Sequence, residues 1–259
     1  MIKKGIENIK QYGFKDTFNK IIFKFFKKFL NIYFSKVNKI KPINHENKFK
    51  KITIDTTYFN SDLCEIGKKY NTDKSPYNPK HRHAYTGIYH FLFHKIRNEK
   101  LNIAELGCFK NEGMKMLREY FVNADLYGYD IDPKHIDNAK NDGLHNTKYF
   151  LIDVNDPSSI KSGLSKSTDK FDIIIDDSSH IFEHQINIVR NSIPYLKKNG
   201  YLVIEDIFNN RKVHEEQNYY KELNELQNFF SEIYFIQSEH LNKFSPLYDN
   251  DKLLIMVKS

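Results

Sequence analysis

The sequence predicts an α/β fold: a doubly wound, mostly parallel sheet with an antiparallel edge strand and an N-terminal helical extension. Three observations point there. From residue 101 onward, short apolar runs alternate with stretches of helical period. Acidic residues stand directly after successive runs, where an open parallel sheet collects ligands. The 259 residues, 40% of them hydrophobic, are enough for one such domain plus a modest extra segment.

Taken in chain order, the first element is an arm, FKDTFNKIIFKFFKKFLNIYFSKVNK, over residues 14–39. Its apolar side chains recur at spacings of three and four, with lysines in every turn, so it reads as a long amphipathic helix. It suits either docking on its own body or a second subunit, giving a homo-oligomer, or a peripheral contact with the inner face of a membrane. Pro42 and INHENKFKK then read as a linker, closing a first segment of residues 1–50. Residues 51–100 read as a loop and helix cap over the ligand site, mainly helical from Thr86. The core, residues 101–259, offers strands at LNIAELG (101–107), DLYGYDI (125–131), TKYFLI (147–152), FDIIID (171–176) and YLVIEDI (201–207). Helices start near Glu112, Pro133, Ser158 and Ile181, with another around 219–230. SEIYFIQSE (231–239) and KLLIMVK (252–258), joined by a loop with Pro246, read as an antiparallel pair closing one edge.

Composition removes several classes. Cys64 and Cys108 are the only cysteines, which excludes a disulfide scaffold and a multi-thiolate zinc site and fits a reducing cytoplasm. No uncharged apolar run is long enough to span a bilayer, and the N-terminus lacks the pattern of a secretory signal. The net charge of +7 belongs to the arm, since residues 1–50 hold 13 lysines against three acids. The remainder holds 27 basic and 30 acidic side chains, so no nucleic-acid partner is expected for the body.

The candidate site follows from the strand ends. Glu105 and Gly107 lead into CFKNEG, a tight turn in which Gly107 and Asn111 can take positive φ. Asp130 ends the next strand, where a carboxylate can bind both hydroxyls of a ribose, and Asp153 follows the third. Asp132 before Pro133 reads instead as a helix N-cap. Phe109 stands where a dinucleotide fingerprint needs its second glycine, so a nucleoside ligand without a pyrophosphate fits better, S-adenosylmethionine being the obvious candidate. Asp177, Glu205 and Asp206 end two neighbouring strands and suit a hard cation, Mg2+ or Mn2+; the plain alternative is a helix cap and two solvated acids. His180 beside them suits a general base. In the preceding loop, YNTDK places Lys74 to meet a carboxylate near the cofactor, while His83 and Tyr85 are candidates for substrate contact. His81 with His83 alternate in a loop and His90 with His94 share a helical face; neither pair shows the further ligands a zinc site needs, and the helix pair reads as packing or surface.

IAELGCFKNEG, YGYDID, FDIIIDDSSH and LKKNGYLVIEDI together resemble the motifs of class I S-adenosylmethionine-dependent methyltransferases, over residues 65–258. The resemblance implies a Rossmann-like sheet of order 3-2-1-4-5-7-6. YNTDK, DDSSH and IED together resemble the metal-dependent sugar O-methyltransferases of macrolide tailoring and of bacterial surface-polysaccharide clusters. That likeness implies Asp177, Glu205 and Asp206 as cation ligands, His180 as base, and Glu105, Gly107, Asp130 and Asp153 around the cofactor. Ser178 and Asn111 depart from it, standing where the family commonly has glycine. The implied acceptor is a sugar hydroxyl, on a nucleotide-linked hexose or heptose for capsule or surface polysaccharide. Two other readings are a metal-independent methyltransferase on a small phosphate- or amine-bearing metabolite, and a non-catalytic membrane-surface module. Insensitivity to chelators marks the first, and no affinity for S-adenosylmethionine marks the second.

Overall fold

The computed structural model of the chain describes residues 48–259 except 246 and 247. The amphipathic arm at 14–39 lies outside the described residues. Eight strands make one sheet: β1 (Phe49–Asp55), β2 (Asn102–Leu106), β3 (Asp125–Asp130), β4 (Thr147–Leu151), β5 (Phe171–Asp176), β6 (Leu196–Ile204), β7 (Phe230–Glu239) and β8 (Lys252–Lys258). Their spatial order is β1-β7-β8-β6-β5-β2-β3-β4. Strand β8 runs antiparallel to β6 and β7, and every other pairing is parallel. From β4 to β7 this is the order expected for a class I methyltransferase sheet.

Strand β1 corrects two expectations. Residues 49–51, read as the end of a linker, instead belong to a strand, because Phe49–Asp55 lies in register with Ile233–Glu239. The sheet edge is therefore β1 and not the β7–β8 pair. Its lysines hid it. FKKITID half-buries Phe49 against the core on one face and Ile52 and Ile54 against the core on the other, while the side chains between them face solvent, a pattern suited to a partly covered edge strand. Phe49 packs on Tyr220 and Phe235, with ring centroids 4.8 and 6.2 Å away.

The β5 run is apolar because both its faces are covered. Ile174 belongs to the core shared with α5 (Pro157–Leu164), α6 (Phe182–Ser192) and α7 (Glu216–Leu223). Ile173 and Ile175 belong to the core on the other face, with α1 (Asp62–Lys69), α2 (Tyr85–Phe93), α3 (Glu112–Tyr120) and α4 (Pro133–Asn141). Asp132 and Asp156 each cap a helix whose first residue is proline. Helix α1 falls in the stretch read as loop; Ser61 caps it, accepting a hydrogen bond from the Cys64 amide at 3.3 Å. Among the described residues, no helix is long and apolar enough to cross a membrane.

Candidate active site

The parallel strands all point their carboxyl ends at one rim, and the turn after β2 shapes its centre. Gly107 (φ 94°) and Asn111 (φ 66°) take the left-handed conformations that the turn needs. Phe109 joins them at φ 41°, which frees its amide to bond Asp130 Oδ2 at 2.8 Å. A Cβ on Gly107 would lie 2.1 Å from the Asp177 carbonyl oxygen, so only glycine lets the β2 and β5 turns pass this closely. Ser178 is not among the positive-φ residues, which explains why serine is accommodated there.

Glu105 lies buried under this turn. A side chain at Gly113 would come within 2.5 Å of its Oε1, so that glycine keeps the carboxylate's space open. Neither carboxylate oxygen has a hydrogen-bond partner among the described residues, and Lys74 Nζ stands 3.6 Å from Oε1. Burial pushes Glu105 up to about 7, against the pull of Lys74. Asp130 Oδ1 accepts from the Asp132 amide at 3.0 Å and lies 3.1 Å from His135 Nδ1. Glu105, Gly107, Asp130, Asp153, Lys74, Asp177 and His180 all line one cleft of about 750 Å3.

The acids after β5 and β6 are neither caps nor solvated. Helix α6 takes Ile181 as its N-cap, and Glu205 and Asp206 are only 1% and 6% exposed. Lys74, 1% exposed, reaches between three strand ends. Its ammonium bonds Asp177 Oδ2, lies 2.7 Å from Glu205 Oε2 and faces Glu105. Burial alone would lower this lysine's pKa, but the surrounding carboxylates raise it well above its ordinary value. The other oxygen of Glu205 accepts from Tyr89. Glu205 thus spends both oxygens on built-in donors. The ligand atoms that converge are those of Asp177, His180 and Asp206, all within 4.8 Å of one another. His180 Nε2 is 3.6 Å from Asp206 Oδ2 and 3.9 Å from Asp177 Oδ1.

His83 and Tyr85 meet Asp206 from the protein side and are only 2% and 0% exposed. The Tyr85 hydroxyl lies 2.8 Å from Asp206 Oδ1 and 2.7 Å from the Asn250 carbonyl. His83 stacks on Tyr85 with centroids 4.6 Å apart and bonds Asp251 through Nδ1 at 2.8 Å. Burial would depress His83, but Asp206 and Asp251 raise it to about 9. Both residues expected to meet substrate are thus placed where they hold Asp206. Asp206 and His180 themselves sit at positive φ, 57° and 54°.

Residues 97–252, more than half of the chain, match the family model for a methyltransferase domain. The chain belongs to that methyltransferase family. The chain is 32% identical over 133 residues to a tetracenomycin rhamnosyl 3'-O-methyltransferase of Streptomyces olivaceus, covering 49% of the chain and 33% of that protein. It is 29% identical over 155 residues to demethylmacrocin O-methyltransferase of Streptomyces fradiae, covering 57% of the chain and 36% of that protein. The chain thus spans about a third of the length of the curated relatives it matches. Among solved structures, MycE methyltransferase of the mycinamycin pathway, in complex with Mg and SAH, aligns with a TM-score of 0.58 and 22% identity. That alignment covers 77% of this chain and 55% of the other, and shows a shared fold.

Several residues of the candidate site escaped the sequence reading. His135 beside Asp130, Tyr89 beside Glu205 and Asp251 beside His83 are brought in by tertiary packing. Asp251 had a usable signal. Because β8 is antiparallel, the residues before it land on the same rim as those after β5 and β6, so an acid in that place was a candidate. The His81 and His83 pair, read as lacking further ligands, has one in Asp73.

Proposed function

We propose that the chain is an S-adenosylmethionine- and divalent-cation-dependent O-methyltransferase acting on a sugar hydroxyl. One observation carries this reading: donor-side and cation-side residues line a single cleft, so a sulfonium methyl and an acceptor oxygen can meet there. The site fits both groups. The orphaned, buried Glu105 carboxylate under a side-chain-free Gly113 suits an ammonium, and Asp130 keeps lone pairs for ribose hydroxyls. Asp177 and Asp206 would hold the cation, and Glu205, whose oxygens each keep a second lone pair beyond their Lys74 and Tyr89 bonds, would offer the third ligand, which leaves His180 free as base. A bound cation supplies Lewis acidity that lowers the pKa of an adjacent hydroxyl.

In the transfer, a bond forms between the acceptor oxygen and the methyl carbon while the sulfur–methyl bond breaks. The bonding electrons return to sulfur, and His180 takes the hydroxyl proton. Tyr85 and His83 fix the Asp206 carboxylate, and Lys74 holds Glu205, so the rim is ordered before substrate arrives.

For the acceptor we favour a hexose or heptose carried on a nucleotide, as in capsule or surface-polysaccharide assembly. Lys80 and Lys110 at the cleft support it, since they suit a diphosphate. The tetracenomycin relative is named for a rhamnosyl-bearing substrate, which supports the sugar class. The test is methyl transfer from labelled S-adenosylmethionine to a panel of nucleotide sugars, with and without EDTA. Label in the sugar, lost on chelation and restored by Mg2+, is the expected result. Transfer at full rate after exhaustive chelation refutes the cation's role. For the arm at 14–39 two readings stand, docking on its own body or a second subunit, and peripheral membrane contact; loss of oligomers on deleting residues 1–40 supports the first, and loss of co-sedimentation with anionic vesicles the second.

A further inference from the structure

The two carboxylate oxygens of Asp206 face different histidines. Oδ2 faces His180 at 3.6 Å, within the cluster already described, and Oδ1 faces His83 at 3.5 Å. Around His83 a second set of ligand atoms gathers, one each from Asp73, His81 and His83, all within 4.8 Å of one another. The chain builds this set locally. His81 and His83 are separated by one residue in an extended segment, where alternation puts both rings on the same side, with centroids 4.5 Å apart. Arg82 between them bridges to Phe244, and the His83 amide bonds the Asp73 carbonyl at 2.6 Å, which ties the YNTDK loop to the segment.

Each imidazole is already oriented through one nitrogen. His83 Nδ1 bonds Asp251 at 2.8 Å, the carboxylate–histidine arrangement that typically stands behind a metal ligand. Its Nε2 is buried with no hydrogen-bond partner among the described residues. His81 Nε2 bonds Ser245 Oγ at 2.9 Å, which leaves Nδ1. Asp73 and His81 line the cleft.

We propose that Asp73, His81 and His83 form a second divalent-cation site, with Asp206 standing between it and the first. Two imidazoles and one carboxylate select a borderline transition ion such as Zn2+ or Co2+, whereas carboxylates dominate the ligands next door and suit Mg2+. An ion there takes the place of a proton on His83, as metal binding to an imidazole requires. Three protein ligands leave coordination positions open toward the cleft, where an acceptor hydroxyl or phosphate oxygen can enter. The site stands on its own ligands and does not depend on the methyl-transfer reading.

Titration of the full chain with Co2+, followed by calorimetry and visible absorption, tests it without turnover. The wild type is expected to bind about two equivalents, and His81→Ala or Asp73→Asn about one, with the imidazole-dependent absorption lost. In both variants the remaining equivalent should still be displaced by Mg2+. Asp73 is exposed, so Asp73→Asn keeps the test valid if the histidine variant folds poorly. One equivalent in the wild type, lost in Asp177→Asn and untouched by His81→Ala, overturns the proposal. So do two equivalents that survive both the His81 and the Asp73 substitutions.

Discussion

Lys74 and Glu205, 131 residues apart in sequence, are joined by a buried ion pair of 2.7 Å at the ends of the sheet. Two other acids, Asp177 and Glu105, face the same ammonium. The lysine therefore acts as an internal counter-ion shared by acids at the ends of β2, β5 and β6.

Replacing that counter-ion gives the first prediction. Lys74→Met leaves three buried carboxylates facing one another, which should cost about 3–5 kcal/mol of stability. Urea unfolding in EDTA and again in Mg2+ reads it. The variant is expected to regain part of the loss with Mg2+, since an added cation replaces the missing charge, while identical curves for variant and wild type count against the role.

Glu105 sets a pH dependence. Its folded value of about 7 lies above the ordinary 4.5, so the folded chain keeps a proton that the unfolded chain has released. Its contribution to stability is whole below about 4.5 and fades as pH rises through about 7. Affinity for a ligand ammonium runs the other way, because it needs the ionised carboxylate. S-adenosylhomocysteine binding should strengthen about tenfold from pH 6 to pH 8 and then level off. Calorimetry across that range checks it, and Glu105→Gln should give weak, flat binding.

Asp177→Asn should lower transfer by about 10³-fold or more while leaving S-adenosylhomocysteine affinity within about threefold. The split arises because the acid faces the cation cluster while ribose-side groups lie across the cleft. Glu205→Gln should show the same split. Equal losses in binding and turnover would place these acids on the donor instead.

Away from the rim, Glu216 Oε1 lies 2.9 Å from Lys51 on β1 and 2.8 Å from Lys252 on β8. Burial would raise its pKa, but the two lysines lower it. Its stabilising effect is therefore present above the unfolded value of 4.5 and lost as pH falls through the lower folded value. Glu216→Gln should cost about 1 kcal/mol at pH 7, and the difference from wild type should vanish in acid. Denaturant titrations at neutral and acid pH measure it.

Much of this architecture was legible from the chain because β2, β3, β5 and the last residues of β6 are buried on both faces and read as short apolar runs. β1 was not, because a partly covered edge strand tolerates lysine on either face. Asp130, Asp177, Glu205 and Asp206 were legible because topology alone puts residues after parallel strands on one rim. Which acid touches which partner was not. That depends on Lys74 and Tyr89 arriving from a preceding segment whose path over the sheet has no sequence period. His83 and Tyr85 look like free polar groups in a loop; only packing shows that they brace Asp206.

The left-handed backbone at His180 and Asp206 has a further consequence. An L side chain there resists its own geometry by about 1 kcal/mol, which glycine would relieve. Both positions instead carry groups to which the proposed chemistry gives a role. Screens that select this protein only for heat resistance should therefore drift toward inert variants at these two places, and a search for hardier versions must score turnover alongside melting temperature.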